Sequence, residues 1–354
     1  MTISLNRRVA ILGATGAVGQ RFIQLLQKHP WFKIEVLAAS ERSAGKKFID
    51  ACSRTMDSNL PREIAEMNVV HADVASVEKA GNIDFVFSAL PGDLAGPVES
   101  EFAALYPVFS KASAHRMDND VPLIIPEVNP DHAALIAIQK KNRGWKGFIS
   151  TDPNCSTIQL TITLKPLMRF GIKQVVVSTM QALSGAGYPG VASLDIIDNV
   201  VPFIAKEEEK MECEPLKILG AFDGSGICPA DFVLSSSCSR VNVKDGHLES
   251  VFVNLEKNPP VKEIEEAFSQ FSGLPQKLKL PSAPTNPIVV RKEPNRPQPR
   301  YDRDEGKGMS VVVGRIREDP IMSVKYVCLG HNTIRGAAGG GILSAELMVM
   351  QGIA

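Results

Sequence analysis

Short apolar runs alternate with stretches of helical spacing through the first part of the chain. Val9 to Leu12 is an apolar run that ends at Gly13, Val18, Phe22, Leu25 and Leu26 then recur at helical intervals, and Ile34 to Ala39 is apolar again. That order reads strand, helix, strand. Ile83 to Leu90, Pro107 to Ser110 and Leu123 to Val128 extend the series as further strands. The first part of the chain, roughly 150 residues, is therefore expected to build a doubly wound parallel sheet of Rossmann-like α/β type.

From Cys155 the rhythm changes. A helix is expected over about Cys155 to Phe170, a strand over Lys173 to Leu183 and a helical region over Ala192 to Leu219. Longer strands follow at Val233 to Val243, Leu248 to Glu256, Met309 to Arg317 and Met322 to Leu329. Long neighbouring strands imply a large mixed or antiparallel sheet with helices on one face, an α+β arrangement. Pro281 to Arg303 carries too many prolines for regular structure. After Asn332 a glycine-rich stretch leads to Ile342 to Met350, which suits a closing helix. The expected division is a dinucleotide-binding unit of residues 1–154 with 332–354, and a catalytic and dimerisation unit of residues 155–331.

Composition narrows the function. The chain has 354 residues and balances 39 Lys+Arg against 39 Asp+Glu, which gives no electrostatic footprint for nucleic acid or an anionic membrane. No apolar run approaches the roughly 20 residues needed to span a bilayer. Met1 to Arg8 lead into the first strand without a cleavable signal pattern, so a cytoplasmic or other reducing compartment is expected. The six cysteines show no zinc spacing, and no metal is expected. Small-molecule partners remain.

The turn Gly13-Ala14-Thr15-Gly16-Ala17-Val18-Gly19 sits where a strand hands over to a helix. Glycines there let the backbone bend sharply and approach a pyrophosphate at the positive helix end. After the second strand, where an NAD enzyme usually offers a carboxylate to the ribose, the chain has Ser40-Glu41-Arg42-Ser43. A guanidinium between hydroxyls suits a 2′-phosphate and points to NADP, with Glu41 as a conflicting sign.

Asp152-Pro153-Asn154-Cys155-Ser156-Thr157 precedes a run of apolar periodicity, which places Cys155 at a helix N-terminus. Helix-end amides and a nearby cation favour the thiolate there. Cys52, Cys213, Cys228, Cys238 and Cys328 lack such a setting. Further on, Asp245-Gly246 is a dipeptide favoured in two-residue hairpin turns. A hairpin would pair Lys244 with His247 and put Arg240, Asn242, Lys244 and His247 on one face, with Arg240 and Lys244 roughly 13 Å apart. Such a face offers an imidazole for proton transfer and a guanidinium for a carboxylate.

The glycine turn, Asn154-Cys155-Ser156-Thr157, Gln181-Ala182-Leu183-Ser184-Gly185-Ala186-Gly187 and Asp245-Gly246-His247 recur in that order in aspartate-semialdehyde dehydrogenases. The chain resembles that family over nearly its whole length. The wording of Glu207 to Gly220 and of Asn332 to Gly340 is similar to its archaeal and fungal branch. The resemblance implies NADPH-dependent reduction of aspartyl phosphate to aspartate semialdehyde through a thioester on Cys155, within lysine, threonine and methionine biosynthesis. It further implies His247 as acid and base, Gln181 orienting the reactants, Arg240 on the α-carboxylate, Glu207 on the amino group, and Lys210 and Arg116 on phosphate. Amides beside Cys155 would hold the oxyanion. For the cofactor it implies Gly13, Thr15, Gly16, Ala17, Val18, Gly19, Ser40, Arg42, Ser43, Ser88, Leu90, Ser184 and Gly185, with Asn332 on the nicotinamide amide. It implies a homodimer or homotetramer.

One position departs from the pattern. The family usually reads Ser-Asn-Ala-Ser before the phosphate-binding arginine, and this chain has Ser110-Lys111-Ala112-Ser113. The added cation aids phosphate binding or crowds the cofactor. Two other readings stay open: reduction of another acyl donor, such as malonyl coenzyme A or an acylglutamyl phosphate, and a dinucleotide-binding regulator without catalysis.

Overall fold

The computed structural model describes residues 5–52 and 60–354, so Met1 to Ser4 of the N-terminal reading lie outside the described residues. Six strands form the first sheet: β1 (Arg7–Leu12), β2 (Phe32–Ala39), β3 (Val69–His71), β4 (Phe85–Ser88), β5 (Pro107–Ser110) and β6 (Phe148–Thr151). Their order is β3-β2-β1-β4-β5-β6, with every pairing parallel. Val9 to Leu12 and Phe85 to Phe87 are fully buried, because helices cover both faces of such a sheet. Those helices include α1 (Ala17–Leu26), α2 (Gly92–Ala103) and α3 (Leu135–Arg143). The order reverses between β1 and β4, where doubly wound sheets open a ligand crevice at the strand ends.

Leu123 to Val128, expected as a strand, is not one. Pro122 and Pro126 remove ladder donors, and within the segment only Leu123 bridges to Thr151. The Asn129 side chain satisfies the backbone instead, donating to the Leu123 carbonyl and accepting the Ile125 amide, each at 2.9 Å. Leu123, Ile125 and Val128 join the core beneath the second sheet.

The second sheet is built from β7 (Ile172–Gln181), then, past a small hairpin of β8 (Ala221–Phe222) and β9 (Ile227–Cys228), from β10 (Val233–Arg240), β11 (His247–Leu255), β12 (Ile288–Val290), β13 (Val311–Glu318) and β14 (Val324–Gly330). It is mixed, with order β10-β7-β11-β14-β13-β12. The helices α4 (Cys155–Leu164) and α5 (Glu207–Ile218) pack on its inner face through Ile158, Leu160, Ile162 and Met211. The region expected as one helix from Ala192 breaks into a short turn at Ser193–Ile196 and α5. The closing helix α6 (Gly339–Met350) returns to the first unit, where Ile342, Ala345, Met348 and Val349 share a core with β1 and α1.

The expected hairpin at Asp245-Gly246 is corrected. The strands β10 and β11 do not pair, because β7 lies between them, parallel to β10 and antiparallel to β11. Residues 241–246 cross over the end of β7, with Leu183 and Ser184 donating to the carbonyls of Val243 and Lys244 at 2.8 and 3.1 Å. A turn dipeptide sets a local bend but cannot report which strand fills the gap.

Candidate active site

The crossover brings Arg240 and His247 together although they sit on different strands. Arg240 ends β10 opposite Gln181, and His247 begins β11 opposite Gly330. Both face Gly185, where a side chain would meet Arg240 Nη1 at 2.8 Å and His247 Nε2 at 3.2 Å. Arg240 Nη1 donates to the Ala182 carbonyl at 2.8 Å.

Cys155 is the first residue of α4, and Asn154 caps the helix. The Asn154 Oδ1 accepts the amides of Ser156 and Thr157 at 2.9 and 3.2 Å, which is why a short polar residue precedes the cysteine. Those two amides are thereby spent, so oxyanion stabilisation falls to other donors than the neighbouring amides expected from sequence. The Cys155 Sγ lies 3.3 Å from His247 Nε2. On its other side the ring accepts the Ala182 amide at Nδ1, 2.9 Å away. A neutral imidazole that accepts at Nδ1 carries its proton on Nε2, facing the sulfur.

The charge state differs from the sequence expectation. Burial pushes the Cys155 thiol up to about 12, Glu207 adds to the push, and Arg240, Arg116 and Lys111 oppose it. The residue as a whole is only half-buried, and the direction is what the chemistry uses. Desolvation here outweighs the helix end. Burial, then Arg240 and His331, push His247 down to about 3. The resting pair is a neutral thiol beside a neutral imidazole.

Glu207 opens α5 and is buried. Its Oε1 accepts from Asn154 Nδ2 at 2.9 Å and Gln181 Nε2 at 3.0 Å, and its Oε2 lies 3.3 Å from Lys210 Nζ. Gln181 also donates to the Ser156 hydroxyl. Asn154, Gln181 and Glu207 thus form one buried network around the start of α4 at Cys155. Arg116 reaches the same network through Glu214, which takes Arg116 Nη1 at 2.9 Å and the Asn154 amide at 2.7 Å. The loop bearing Arg116 is braced by Lys217 of α5, whose ammonium donates to the carbonyls of Arg116, Asp118 and Val121, each at 2.8 Å.

The glycine turn lies at the crevice between β1 and β4. Gly13 has φ +73°, and a side chain there would sit 2.6 Å from the Ala89 carbonyl. Gly16 caps α1 without any side-chain acceptor, so its first-turn amides present an uncapped helix start. That start suits the pyrophosphate of a dinucleotide. A cleft of ≈ 740 Å³ connects it to the second unit, lined by Ala17, Arg21, Ser184, Lys244, His331 and Thr333 among others. Arg42 and Ser40 are exposed and Ser43 is buried. Ser88 turns away from the crevice, its hydroxyl donating to Glu99 at 2.6 Å. Asn332 donates from Nδ2 to the Ser184 hydroxyl at 2.8 Å and accepts the Gly246 amide at 2.9 Å, so it braces the loops that form the cleft.

Sequence reading gave no role to the Ala182 amide, Glu214 or Lys217, although all three lie in stretches that carry the family resemblance. It also passed over Asp152, which holds Lys111 at 3.0 Å.

A doubly wound dinucleotide domain joined to a mixed-sheet domain, with a cysteine and a histidine in contact, is the architecture of a nucleotide-dependent enzyme. Comparison with known proteins gives the same class. The profile of the semialdehyde dehydrogenase NAD-binding domain matches residues 8–136, and that of the semialdehyde dehydrogenase dimerisation domain matches residues 164–335. The chain belongs to the semialdehyde dehydrogenase family. It is 55% identical to an aspartate-semialdehyde dehydrogenase of Methanothermobacter thermautotrophicus, over 96% of this chain and 98% of that one. It is 42% identical to a malonyl CoA reductase (NADP) of Metallosphaera sedula, over 98% and 97% of the two chains. Among solved structures it resembles aspartate semialdehyde dehydrogenase with NADP from Candida albicans, with TM-score 0.89, 41% identity and coverage of 99% and 100%.

Proposed function

We propose that the chain catalyses NADPH-dependent reduction of L-aspartyl 4-phosphate to L-aspartate 4-semialdehyde, and the reverse, through an acyl-enzyme on Cys155, in amino-acid biosynthesis. The observation that carries the mechanism is the 3.3 Å contact of Cys155 Sγ with His247 Nε2. Cys155 attacks the acyl carbon as its thiolate, the proton of the resting thiol passing to the leaving phosphate, which Arg116 and Lys210 hold. The bound dinucleotide supplies the hydride. The His247 Nε2–H stabilises first the oxyanion and then the departing sulfur, as acid but not as base. Arg240 holds the α-carboxylate, and Glu207 holds the amino group while Gln181 keeps Glu207 in place. Arg42 between Ser40 and Ser43 takes the 2′-phosphate.

Glu207 favours this substrate over malonyl coenzyme A, which has no amino group to meet a buried carboxylate. The test is phosphate-dependent reduction of NADP with aspartate semialdehyde, run beside Cys155→Ser and Cys155→Ala. Faster NADPH oxidation with malonyl coenzyme A than with aspartyl phosphate would reverse the substrate choice.

The division into a dinucleotide unit of residues 1–154 with 332–354 and a catalytic unit of residues 155–331 follows the two sheets, with Leu123, Ile125 and Val128 of the first unit packing into the core of the second. A homodimer is supported by exposed apolar side chains on adjacent strands of the second sheet, Val176 and Met180 of β7 and Val233 of β10. Light scattering that returned a monomer mass would exclude it. Among the described residues no helix is long and apolar enough to cross a membrane. A cytoplasmic location suits the thiols of Cys155, Cys213, Cys228, Cys238 and Cys328, none of them in a disulfide, and a tagged copy found outside the cytoplasm would refute it.

A further inference from the structure

Every residue of α4 after Cys155 is buried. Among its core neighbours Ile158, Leu160, Ile162 and Leu164, Gln159 carries an amide at 1% exposure. A buried amide persists only where its polar atoms find partners. The partner here is the backbone of the active-site histidine: Gln159 Nε2 donates to the His247 carbonyl at 2.9 Å. Gln159 follows Cys155 by four residues, so the two side chains share one face of α4, one turn and roughly 6 Å apart. The helix that presents the sulfur therefore also grips the residue that meets it.

His247 needs that grip because it starts its strand. The ladder between β7 and β11 begins at Leu248, so His247 stands beyond it, opposite Gly330 of β14. The residue before it, Gly246, has φ +99°, a turn conformation. The ring meets the Ala182 amide at Nδ1 and the Cys155 sulfur at Nε2, and a shift of the backbone would carry it away from both. Gly330 makes room for the support from α4. A side chain there would strike the Gln159 amide oxygen and stand 3.0 Å from the Gln159 Cβ.

We propose that Gln159 is a positioning residue for the reaction: through the His247 carbonyl it holds the imidazole at its 3.3 Å separation from the Cys155 sulfur. The proposal rests on the reading of Cys155 as nucleophile and His247 as acid. Gln159 acts on the chemistry only through His247, and that dependence can be measured.

The test is the steady-state rate of phosphate-dependent NADP reduction with aspartate semialdehyde, taken well below the Tm of each variant, for Gln159→Met in two backgrounds. Methionine keeps the length and volume of the side chain and removes the donor. In the otherwise unsubstituted protein kcat should fall about tenfold, the effect of a shift of several tenths of an ångström at the acid, while the KM for aspartate semialdehyde and for NADP stay within about twofold. In a His247→Gln background the same substitution should lower kcat by less than about twofold, because the group it positions is gone. A loss of about tenfold in both backgrounds would show that Gln159 acts on the fold at large, and overturn the proposal. Unchanged kcat with a lower Tm would make the bond a structural tie and overturn it as well. If Gln159→Met does not fold, Gly330→Ala deflects the amide and keeps every polar group; it should give the same loss of kcat and the same silence in the His247→Gln background. Wild-type kcat in Gly330→Ala would then overturn the proposal. Wild-type kcat in His247→Gln alone would sink the reading of His247, and the proposal with it.

Discussion

The Ala182 amide donates to His247 Nδ1 at 2.9 Å, and this bond leaves the neutral ring its proton on Nε2, against the Cys155 sulfur. Ala182 follows Gln181 at the end of β7, so the strand that separates β10 from β11 also fixes the tautomer. The imidazole is therefore set as a donor toward the Cys155 sulfur.

With His247 pushed down to about 3, the ring is neutral across the working range. A depressed base gains its proton only below its folded pKa, so lowering the pH through 6.5 does not charge it. The profile of kcat/KM for the free enzyme should lack an acid limb near about 6.5, the ordinary imidazole value. His247→Gln, which cannot accept from Ala182 in the same geometry, should lower kcat by about 10²- to 10³-fold. A limb at the ordinary value would mean that the ring titrates freely.

The thiol shift has the opposite sign and a separate readout. A raised thiol stays protonated until the pH nears about 12, so the thiolate fraction of the resting enzyme climbs through the whole accessible range. Iodoacetamide labelling of Cys155 should rise about tenfold per pH unit with no plateau near about 8.5, the free-thiol value. A plateau there would show that burial does not control the sulfur.

Much of this arrangement was legible in the chain, and the limits have physical causes. Continuous apolar runs marked β1, β2 and β4 because strands buried on both faces need them. Val69–His71 and Phe148–Thr151 are too short or too polar at one end to stand out, and so β3 and β6 escaped. Asn154-Cys155 correctly signalled a capped helix start, since capping is local chemistry. Whether the sulfur there is charged depends on burial and on Glu207, Arg240 and Arg116, which lie far away in sequence. The Asp245-Gly246 turn misled for the same reason: strand neighbours are set by the whole sheet.

Arg42 is exposed in the turn after β2, flanked by Ser40 and Ser43. A guanidinium on a 2′-phosphate is a charge-assisted contact that NAD cannot make. Arg42→Ala should raise the KM for NADP about tenfold and leave that for NAD nearly unchanged, the loss of one charged hydrogen bond. Equal losses with both cofactors would place the 2′-phosphate elsewhere.

Gly185 sets a tight constraint beside the substrate-binding side chains. It sits between Arg240 and His247, and a methyl group there would stand 2.8 Å from Arg240 Nη1 and 3.1 Å from His247 Cε1. Both atoms are fixed by Ala182, Nη1 through the carbonyl at 2.8 Å and the ring through the amide at 2.9 Å. Neither can yield without losing that bond, so Gly185→Ala should displace the carboxylate anchor or the imidazole by several tenths of an ångström. Misplacement on that scale costs on the order of 10²-fold in kcat/KM. Gly185 is exposed and the atoms nearest its Cβ position belong to the polar side chains of Arg240 and His247, with no apolar core atom among them, so the Tm should fall little. The split between substrates then locates the damage. A higher KM for aspartate semialdehyde points to Arg240, a lower kcat to His247, and a weakened NADP affinity to the cofactor contact expected at Gly185. Wild-type kinetics in the alanine variant would show that the two side chains do not converge on this glycine in the working enzyme.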